Sequence, residues 1–243
     1  MKGLVIVPTY KESANICRLL DELLRQGLEL EILVVDDNSP DGTADLVRAY
    51  SKKDARVRVM VRTGQRGRGA AGIDGFREAV ASRADYVVAM NADFSHDPAF
   101  LPRFLPALEN ADVVIASRRV PGGSEPGRSV VRKVITKLAS AWIRLWLRLP
   151  VHDPTAGFRC FRRSALAKVD WDKLQSVGPS IVEEVLWALH RAGARIVEIP
   201  LVFQPRAAGE SQLSFRKLLD TYWRVTCMPF RRPPIHSSEL PLM

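Results

Sequence analysis

Val34-Val35-Asp36-Asp37-Asn38-Ser39-Pro40-Asp41-Gly42-Thr43 decides how the first half of the chain is read. An unbroken apolar run ends on two carboxylates and then on a cluster of turn formers. Short apolar runs closed by turn residues read as strands covered on both faces, as in a parallel sheet. The same pattern stands at residues 4–7, closed by Pro8, and recurs at 57–61, 86–90 and 113–116. Helical patterns lie between the runs. Ile16, Leu19, Leu20, Leu23 and Leu24 recur at helical spacing, with Ser13 the expected N-cap and Gly27 the expected C-cap. Phe76, Val80 and the alanines around them form another. Strand alternating with helix predicts an α/β fold: a mostly parallel sheet, flanked by helices and joined by right-handed crossovers.

The 243 residues suit one domain of ordinary size. Hydrophobic residues are 47% and charged residues 26%, which excludes a disordered chain. Lys and Arg number 36 against 27 Asp and Glu, a formal charge of +9 that points to an anionic partner such as a nucleotide, a nucleic acid or a membrane surface. Nucleic acid is set aside, because no recognition motif or interleaving of aromatics with cations accompanies the charge. Cys17, Cys160 and Cys227 are too few and too scattered for a disulfide framework or a zinc site, so a reducing compartment is expected. The opening Met1-Lys2-Gly3-Leu4-Val5-Ile6-Val7-Pro8 is interrupted too early for a signal peptide. No run of about 18 uncharged apolar residues occurs, so membrane contact is expected to be peripheral.

The second half is less regular. Residues 129–149 form a long amphipathic pattern. Residues 181–192 predict a helix closed by Gly193, 195–199 a strand ended by Pro200, and 214–227 a further helix. The proline-rich tail from Pro229 is expected to be poorly ordered. At about 100° per residue, Lys133, Lys137, Arg144 and Arg148 share an arc of roughly 60°. Ile135, Leu138, Trp142, Leu145, Trp146 and Leu149 share roughly 100° on the other side. Two readings stay open: a basic and tryptophan-bearing helix for a membrane interface, or an ordinary helix whose stripe meets the core.

Ligands of such sheets sit beyond the carboxyl ends of the strands. Asn91-Ala92-Asp93 follows the fourth run and could hold a hard divalent cation, or form an Asx-type turn. Asp36-Asp37 could accept hydrogen bonds from a base or ribose, while Ser39 or Asp41 cap the next helix. Gly64-Gln65-Arg66-Gly67-Arg68-Gly69 reads either as a loop whose amides approach an anion or as a solvated turn. Arg118, Arg119, Arg128, Arg132 and Arg206 are candidate phosphate ligands, each with a solvated charge as the alternative. His96 is read as structural or as supporting the neighbouring loop.

Several linked motifs resemble family 2 glycosyltransferases of the GT-A fold. They are Val7-Pro8-Thr9-Tyr10-Lys11-Glu12, the 34–43 segment, and Asn91-Ala92-Asp93-Phe94-Ser95-His96-Asp97-Pro98. Ala116-Ser117-Arg118-Arg119-Val120-Pro121-Gly122-Gly123, Asp153-Pro154-Thr155-Ala156-Gly157-Phe158-Arg159 and Gly209-Glu210-Ser211-Gln212-Leu213 narrow the likeness to polyprenol-phosphate (dolichol-phosphate) mannosyltransferases. The resemblance implies a Rossmann-like GT-A sheet with an amphipathic helical region on the acceptor side. It implies one domain over 1–228, with a nucleotide-sugar half at 1–117 and an acceptor half at 118–228, and a disordered tail at 229–243. The implied reaction is inverting transfer of a hexose, mannose from GDP-mannose, to a polyprenyl monophosphate with Mg2+ or Mn2+. Another donor such as UDP-glucose, or another acceptor, is the alternative.

By position, Pro8, Tyr10, Glu12, Asp37, Gly69, Asn91, Asp93 and Arg206 would bind the donor, with Asn91 and Asp93 holding the metal and diphosphate. Arg118, Arg132 and Thr136 would receive the lipid phosphate, and Asp93, Arg118 and Arg132 would carry catalysis. Gly209, Glu210, Ser211 and Gln212 would form a flexible loop over the site. The implied setting is cytoplasmic, peripheral on the inner face of a membrane, with room for a membrane-anchoring partner protein. Two departures stand out. Asn91 replaces the family's first acidic residue, which is expected to weaken the metal and leaves open a degenerate member that binds nucleotide without turnover. Ser180-Ile181-Val182-Glu183-Glu184 stands where the family has Phe-Gln-Ile-Glu, so only Glu184 matches.

Overall fold

The apolar runs become one mixed sheet. The computed structural model describes residues 1–204 and 215–236, with the side chains of all of these except 215–218. The first half runs β1 (Gly3–Thr9), α1 (Ile16–Leu24), β2 (Leu30–Asp36), α2 (Thr43–Ser51), β3 (Val57–Val61), α3 (Arg68–Ala81) and β4 (Tyr86–Ala89). A 3-10 turn at Pro98–Arg103, α4 (Phe104–Leu108), β5 (Val113–Ser117) and α5 (Val130–Trp146) follow. Then come β6 (Arg159–Arg162), α6 (Arg163–Leu166), α7 (Ile181–Arg191), β7 (Ile196–Pro200), α8 (Phe215–Cys227) and a 3-10 turn at Met228–Phe230.

The strand order is β3-β2-β1-β4-β6-β5-β7. Only β6 runs against its neighbours β4 and β5; the other pairings are parallel. The α/β reading therefore holds, with one addition. β6 gives no apolar run, because its four residues Arg159-Cys160-Phe161-Arg162 begin and end on arginine. Arg162 binds the carbonyls of Ala111 and Leu108, and Arg159 those of Val182 and Pro154, so both charges are absorbed by backbone oxygens.

Alternation along β1 and β2 feeds two cores. Leu4, Ile6, Leu33 and Val35 pack with α3, α5 and α7 on one face. Val5, Val7, Ile32 and Val34 pack with α1 on the other, against Ile16, Leu19, Leu20 and Leu23. Two local expectations change. Asn15, not Ser13, stands at the N-cap of α1 and donates its side-chain amide to Glu12 Oε2 at 2.8 Å, while the Ser13 N–H goes to Asp41. The helix stops at Leu24 with Arg25 as its C-cap, and Gly27 makes the left-handed turn (φ +68) two residues further on.

The segment 229–236 is folded, against the expectation of a poorly ordered tail. Ile235 bridges Val169 and is buried, and the N–H groups of Asp170 and His236 bond Pro234 and Lys168 carbonyls across the same contact. Two apolar residues, Met228 and Ile235, anchor the strap. Residues 237–243 lie outside the described residues. Among the described residues no helix is long and apolar enough to cross a membrane.

Gly75 sets how closely α3 approaches the sheet. A Cβ there would lie 2.6 Å from Ile6 Cγ2 and 3.2 Å from Val35 Cγ2. Both are branched strand side chains in a packed layer. We expect Gly75→Ala to lower stability by about 1–3 kcal/mol in urea denaturation; unchanged or raised stability would show that the layer yields.

Candidate active site

The loops beyond β1, β2 and β4 meet α3 and the 153–157 loop. Asp36 fastens the first of them. Its carboxylate accepts the Thr9 hydroxyl at 2.8 Å and both the N–H and hydroxyl of Ser39. Asp41, rather than an open ligand site, ties the next helix, accepting the Thr43 hydroxyl at 2.6 Å. Asp37 is buried, pairs with Arg62 and accepts the Gly67 N–H at 2.9 Å. Tyr10 sits at the rim with the Arg66 guanidinium 5.3 Å from its ring centroid. Pro8 lines the cavity behind it.

The Gly-rich segment differs from an anion loop. The Gly67 amide goes to Asp37, while those of Gly69 and Ala70 go to the Val177 carbonyl. Gly69 is needed for closeness: a Cβ would fall 2.3 Å from Ser176 O. Glu184 supports that contact from below, its buried carboxylate accepting the N–H groups of Gln175 and Ser176. Gly69 therefore packs against a neighbouring loop in this structure.

The 91–96 loop is knitted from within. Asp93 is buried and Oδ1 accepts the Ser95 N–H at 3.1 Å and its hydroxyl at 2.5 Å. The Asn91 side-chain amide donates to Ser95 Oγ at 3.2 Å. His96 Nδ1 accepts the Asn91 N–H at 3.0 Å, and its ring stacks on Phe158 with centroids 4.7 Å apart. Burial, reinforced by the charges of Arg68 and Arg118, holds this imidazole well below its usual range. A neutral ring accepting through Nδ1 is what that bond needs. His96 thus supports the loop through its backbone.

Arg118 is already engaged. Nε and Nη2 form a bidentate pair with Asp153 at 2.7 Å each, and Nη2 also donates to Thr155 at 2.8 Å. Burial pushes the Asp153 carboxyl up, but the Arg118 bonds outweigh it and leave it below the usual range. Arg119 and Arg128 turn to the buried Glu125, at 2.8 and 2.5 Å. From Thr155 a polar line continues onto α5. Ser140 Oγ lies 3.5 Å from the Thr155 hydroxyl, and Thr136 and Arg132 precede Ser140 at i−4 and i−8 on the same stripe. Thr136 spends its hydroxyl on the Arg132 carbonyl, and the Arg132 side chain is exposed. Glu12 bonds Asn15, as above. Arg206, Gly209, Glu210, Ser211 and Gln212 lie outside the described residues.

Between these loops is a cavity of about 50 Å³ lined by Pro8, Arg68, Met90, Gly157 and Arg159 among others. Sequence reasoning did not single out Arg159 there, nor the buried Glu183 on α7, whose charge acts on Arg159. Burial pulls the Arg159 guanidinium down to about 10. It pushes the Glu183 carboxyl up to about 7, against the charges of Arg159 and Arg68. No periodicity signals either residue, since one hides in β6 and the other on a buried helix.

The opposite side of α5 carries the apolar arc. Ser140, Ile143 and Leu147 face the protein, while Ile135, Leu138 and Leu145 are exposed, Leu138 at 66%. Leu149 departs from the helical wheel and is buried, because the helix ends at Trp146 and Arg148 (φ +52) turns the chain inward. α8 extends this surface. Trp142 stacks on Tyr222 at 4.5 Å, Trp146 donates to the Thr226 carbonyl at 3.1 Å, and Trp223 (68%) and Phe230 (79%) stand exposed beside them.

The model of glycosyl transferase family 2 matches residues 4–170. An undecaprenyl-phosphate mannosyltransferase of Micrococcus luteus is 41% identical over 88% of this chain and 88% of its own length. A polyprenol monophosphomannose synthase of Mycolicibacterium smegmatis is 37% identical over 92% of this chain and 85% of its own. A dolichol-phosphate mannosyltransferase of Pyrococcus furiosus is 36% identical over 90% of this chain and 61% of its own. Among solved structures, glucosyl-3-phosphoglycerate synthase of Mycobacterium tuberculosis, in complex with Mn2+, UDP and glucosyl-3-phosphoglycerate, shares the fold. It has a TM-score of 0.67 and 20% identity, over 98% of this chain and 81% of that one.

Glu183 gives the site a measurable pH signature. Its folded carboxyl titrates near 7 against an ordinary value of 4.5, so the native state holds the proton more tightly. The associated stability is complete below about pH 4.5 and is lost as pH rises through 7. Glu183→Gln should match the wild type at pH 5 and exceed it by about 1–3 kcal/mol at pH 8. A stability difference that does not change with pH in urea denaturation would contradict this assignment.

Proposed function

The chain belongs to glycosyl transferase family 2, and from that premise we propose that it transfers mannose from GDP-mannose to a polyprenyl monophosphate with inversion at the anomeric carbon. The single observation that carries the acceptor is the double character of α5. One stripe runs Arg132, Thr136, Ser140 toward Thr155 and Arg118; the other side is an exposed apolar face. A lipid phosphate has the same division, a dianionic head on an apolar tail. The names of the relatives from Micrococcus luteus, Mycolicibacterium smegmatis and Pyrococcus furiosus support mannose as the sugar and a polyprenyl phosphate as acceptor.

In this reading one domain includes the folded 229–236 strap, with the donor taken by 1–117 and the acceptor by 118–228. Tyr10 and Arg66 offer a stacking platform for the base. The acceptor oxygen attacks C1 of the sugar, the C1–O bond to the diphosphate breaks, and GDP leaves. A phosphate monoester is ionised near pH 7, so the chain needs no strong base for this step. Arg132 orients the phosphate head, and Arg118, paired with Asp153, fixes the adjoining loop.

The residues at the β4 end fit a hard divalent cation, Mg2+ or Mn2+. Asp93 supplies a carboxylate, and Asn91 and Ser95 add neutral oxygens. Among the described residues no group of three or more His, Cys, Asp or Glu could hold a metal alone. This donor set suits an ion that keeps substrate phosphates in its shell. Such an ion, when bound, offsets charge on the departing diphosphate. The exposed faces of α5 and α8, edged by Lys137, Arg144 and Arg148, suit peripheral attachment to the cytoplasmic face of an anionic membrane. Asn91, whose amide is spent on Ser95, favours a second reading: nucleotide binding without turnover.

Purified protein with GDP-mannose, undecaprenyl phosphate and Mn2+ should form a mannosyl phospholipid, and Asp93→Ala should lower the rate at least about 100-fold. GDP binding without any transfer would favour the second reading, and preference for UDP-glucose would overturn the donor. A double change, Leu138→Asp with Leu145→Asp, should reduce cosedimentation with anionic vesicles at least about tenfold, since each leucine contributes about 1.5–3 kcal/mol when buried. Equal sedimentation would mean that this face meets something other than lipid.

A further inference from the structure

The strap Met228-Pro229-Phe230-Arg231-Arg232-Pro233-Pro234-Ile235 is fixed at both ends, because Met228 and Ile235 are buried in the same cluster. Prolines 229, 233 and 234 restrict the backbone between them. The Arg231 N–H closes a turn on the Met228 carbonyl at 3.1 Å. Arg231 is therefore delivered to one place. Its guanidinium donates to the side-chain oxygen of Gln175 and to the Arg224 carbonyl at 3.3 Å, and it lies 3.7 Å from the buried Glu184 carboxylate.

These contacts converge on one loop. Glu184 on α7 accepts the N–H groups of Gln175 and Ser176, and Arg224 on α8 donates to the Gln175 carbonyl at 2.7 Å. Gln175 is thus held through its backbone by α7 and α8, and through its side chain by the strap. Two residues on, the Val177 carbonyl accepts the N–H groups of Gly69 and Ala70 at 3.0 and 3.3 Å. The first turn of a helix has no carbonyls of its own for these donors. The contact is close: a Cβ on Gly67 would fall 2.4 Å from Val177 O, and one on Gly69 2.3 Å from Ser176 O. In so tight a packing a shift of the loop moves the first turn of α3. Gly67 in turn donates to Asp37 at 2.9 Å. Three contacts therefore join the strap to the end of β2: Arg231 with Gln175, Val177 with the first turn of α3, and Gly67 with Asp37.

We propose that Arg231 is a positioning residue for the donor nucleotide, acting through Gln175 on the first turn of α3 and on Asp37; the role rests on the donor reading above. The test measures calorimetric binding of GDP and of UDP with Mn2+, and steady-state transfer. It compares wild type with Arg231→Gln, Arg231→Lys, Gln175→Ala and the double variant Arg231→Gln with Gln175→Ala. Arg231→Gln should weaken binding of the nucleotide that wild type takes, and raise the KM of its sugar donor, by about three- to thirtyfold, with kcat and the acceptor KM unchanged. Arg231→Lys should recover part of the loss. Gln175→Ala keeps the backbone bonds to Glu184 and Arg224; it should reproduce the loss, and the double variant should add nothing to it. Additive losses, a fall in kcat alone, a loss shared with the acceptor or an unchanged nucleotide affinity overturn the proposal. Should Arg231→Gln fail to fold, Gln175→Ala decides the matter by the same readouts. Wild type that binds neither nucleotide sinks the donor reading and the proposal together; wild type that binds one, with the variants unchanged, sinks the proposal alone.

Discussion

The bidentate pair between Arg118 and Asp153 is the constraint on which the loops beside α5 depend. It joins the end of β5 to the 153–157 loop in a buried setting, with both bonds at 2.7 Å. Glu198 on β7 receives the Asp153 N–H at 2.9 Å, so the edge strand is tied to the same knot. Thr155 extends it to Ser140 on α5, and Gly157 places it under Arg68. A buried ion pair is a poor source of net stability, because desolvation of both charges offsets most of their attraction. Removing one partner is another matter: the remaining buried charge costs about 3–5 kcal/mol. The pair is best understood as fixing geometry. It holds one loop that reaches α5, β5, β7 and the cavity at once.

The loops beyond β1, β2 and β4 are organised differently. There the carboxylates serve as fasteners for loops. Asp36 gathers Thr9 and Ser39, Asp41 gathers Thr43, and Asp37 joins Arg62 to the start of α3. Asp93 is held by Ser95, and Ser95 is in turn held by Asn91. In that chain of bonds an amide at residue 91 is a donor to the serine hydroxyl, which an ionised carboxylate could not be. The departure at Asn91 therefore has a structural partner two bonds away.

The sheet was legible in the sequence wherever strands are covered on both faces by apolar side chains, as at 4–7, 32–35 and 113–116. β6 was not, because its arginines satisfy backbone carbonyls far along the chain and so imitate a solvated segment. The amphipathic arc of α5 was legible as a pattern, but periodicity alone could not say what it faced: Ile135, Leu138 and Leu145 are exposed, whereas Trp142 packs against the core and Leu149 is buried. Strand ends pointed to the loops that converge in the structure, yet not to the partner of each side chain. Arg118 read as an open cation because Asp153 lies 35 residues away. The 64–69 segment read as an anion loop or a solvated turn because the backbone of 176–178 that packs on Gly67 and Gly69 is remote in sequence.

In the proposed reading the nucleotide and the acceptor phosphate meet in the space between the Asp93 loop and the first turn of α3. A crystal structure with GDP-mannose and Mn2+ bound tests this most directly. The diphosphate should lie beside Asp93, with the guanine near Tyr10 and Arg66. A nucleotide seated away from the carboxyl ends of β1 and β4, with Asp93 still closed onto Ser95, would contradict it.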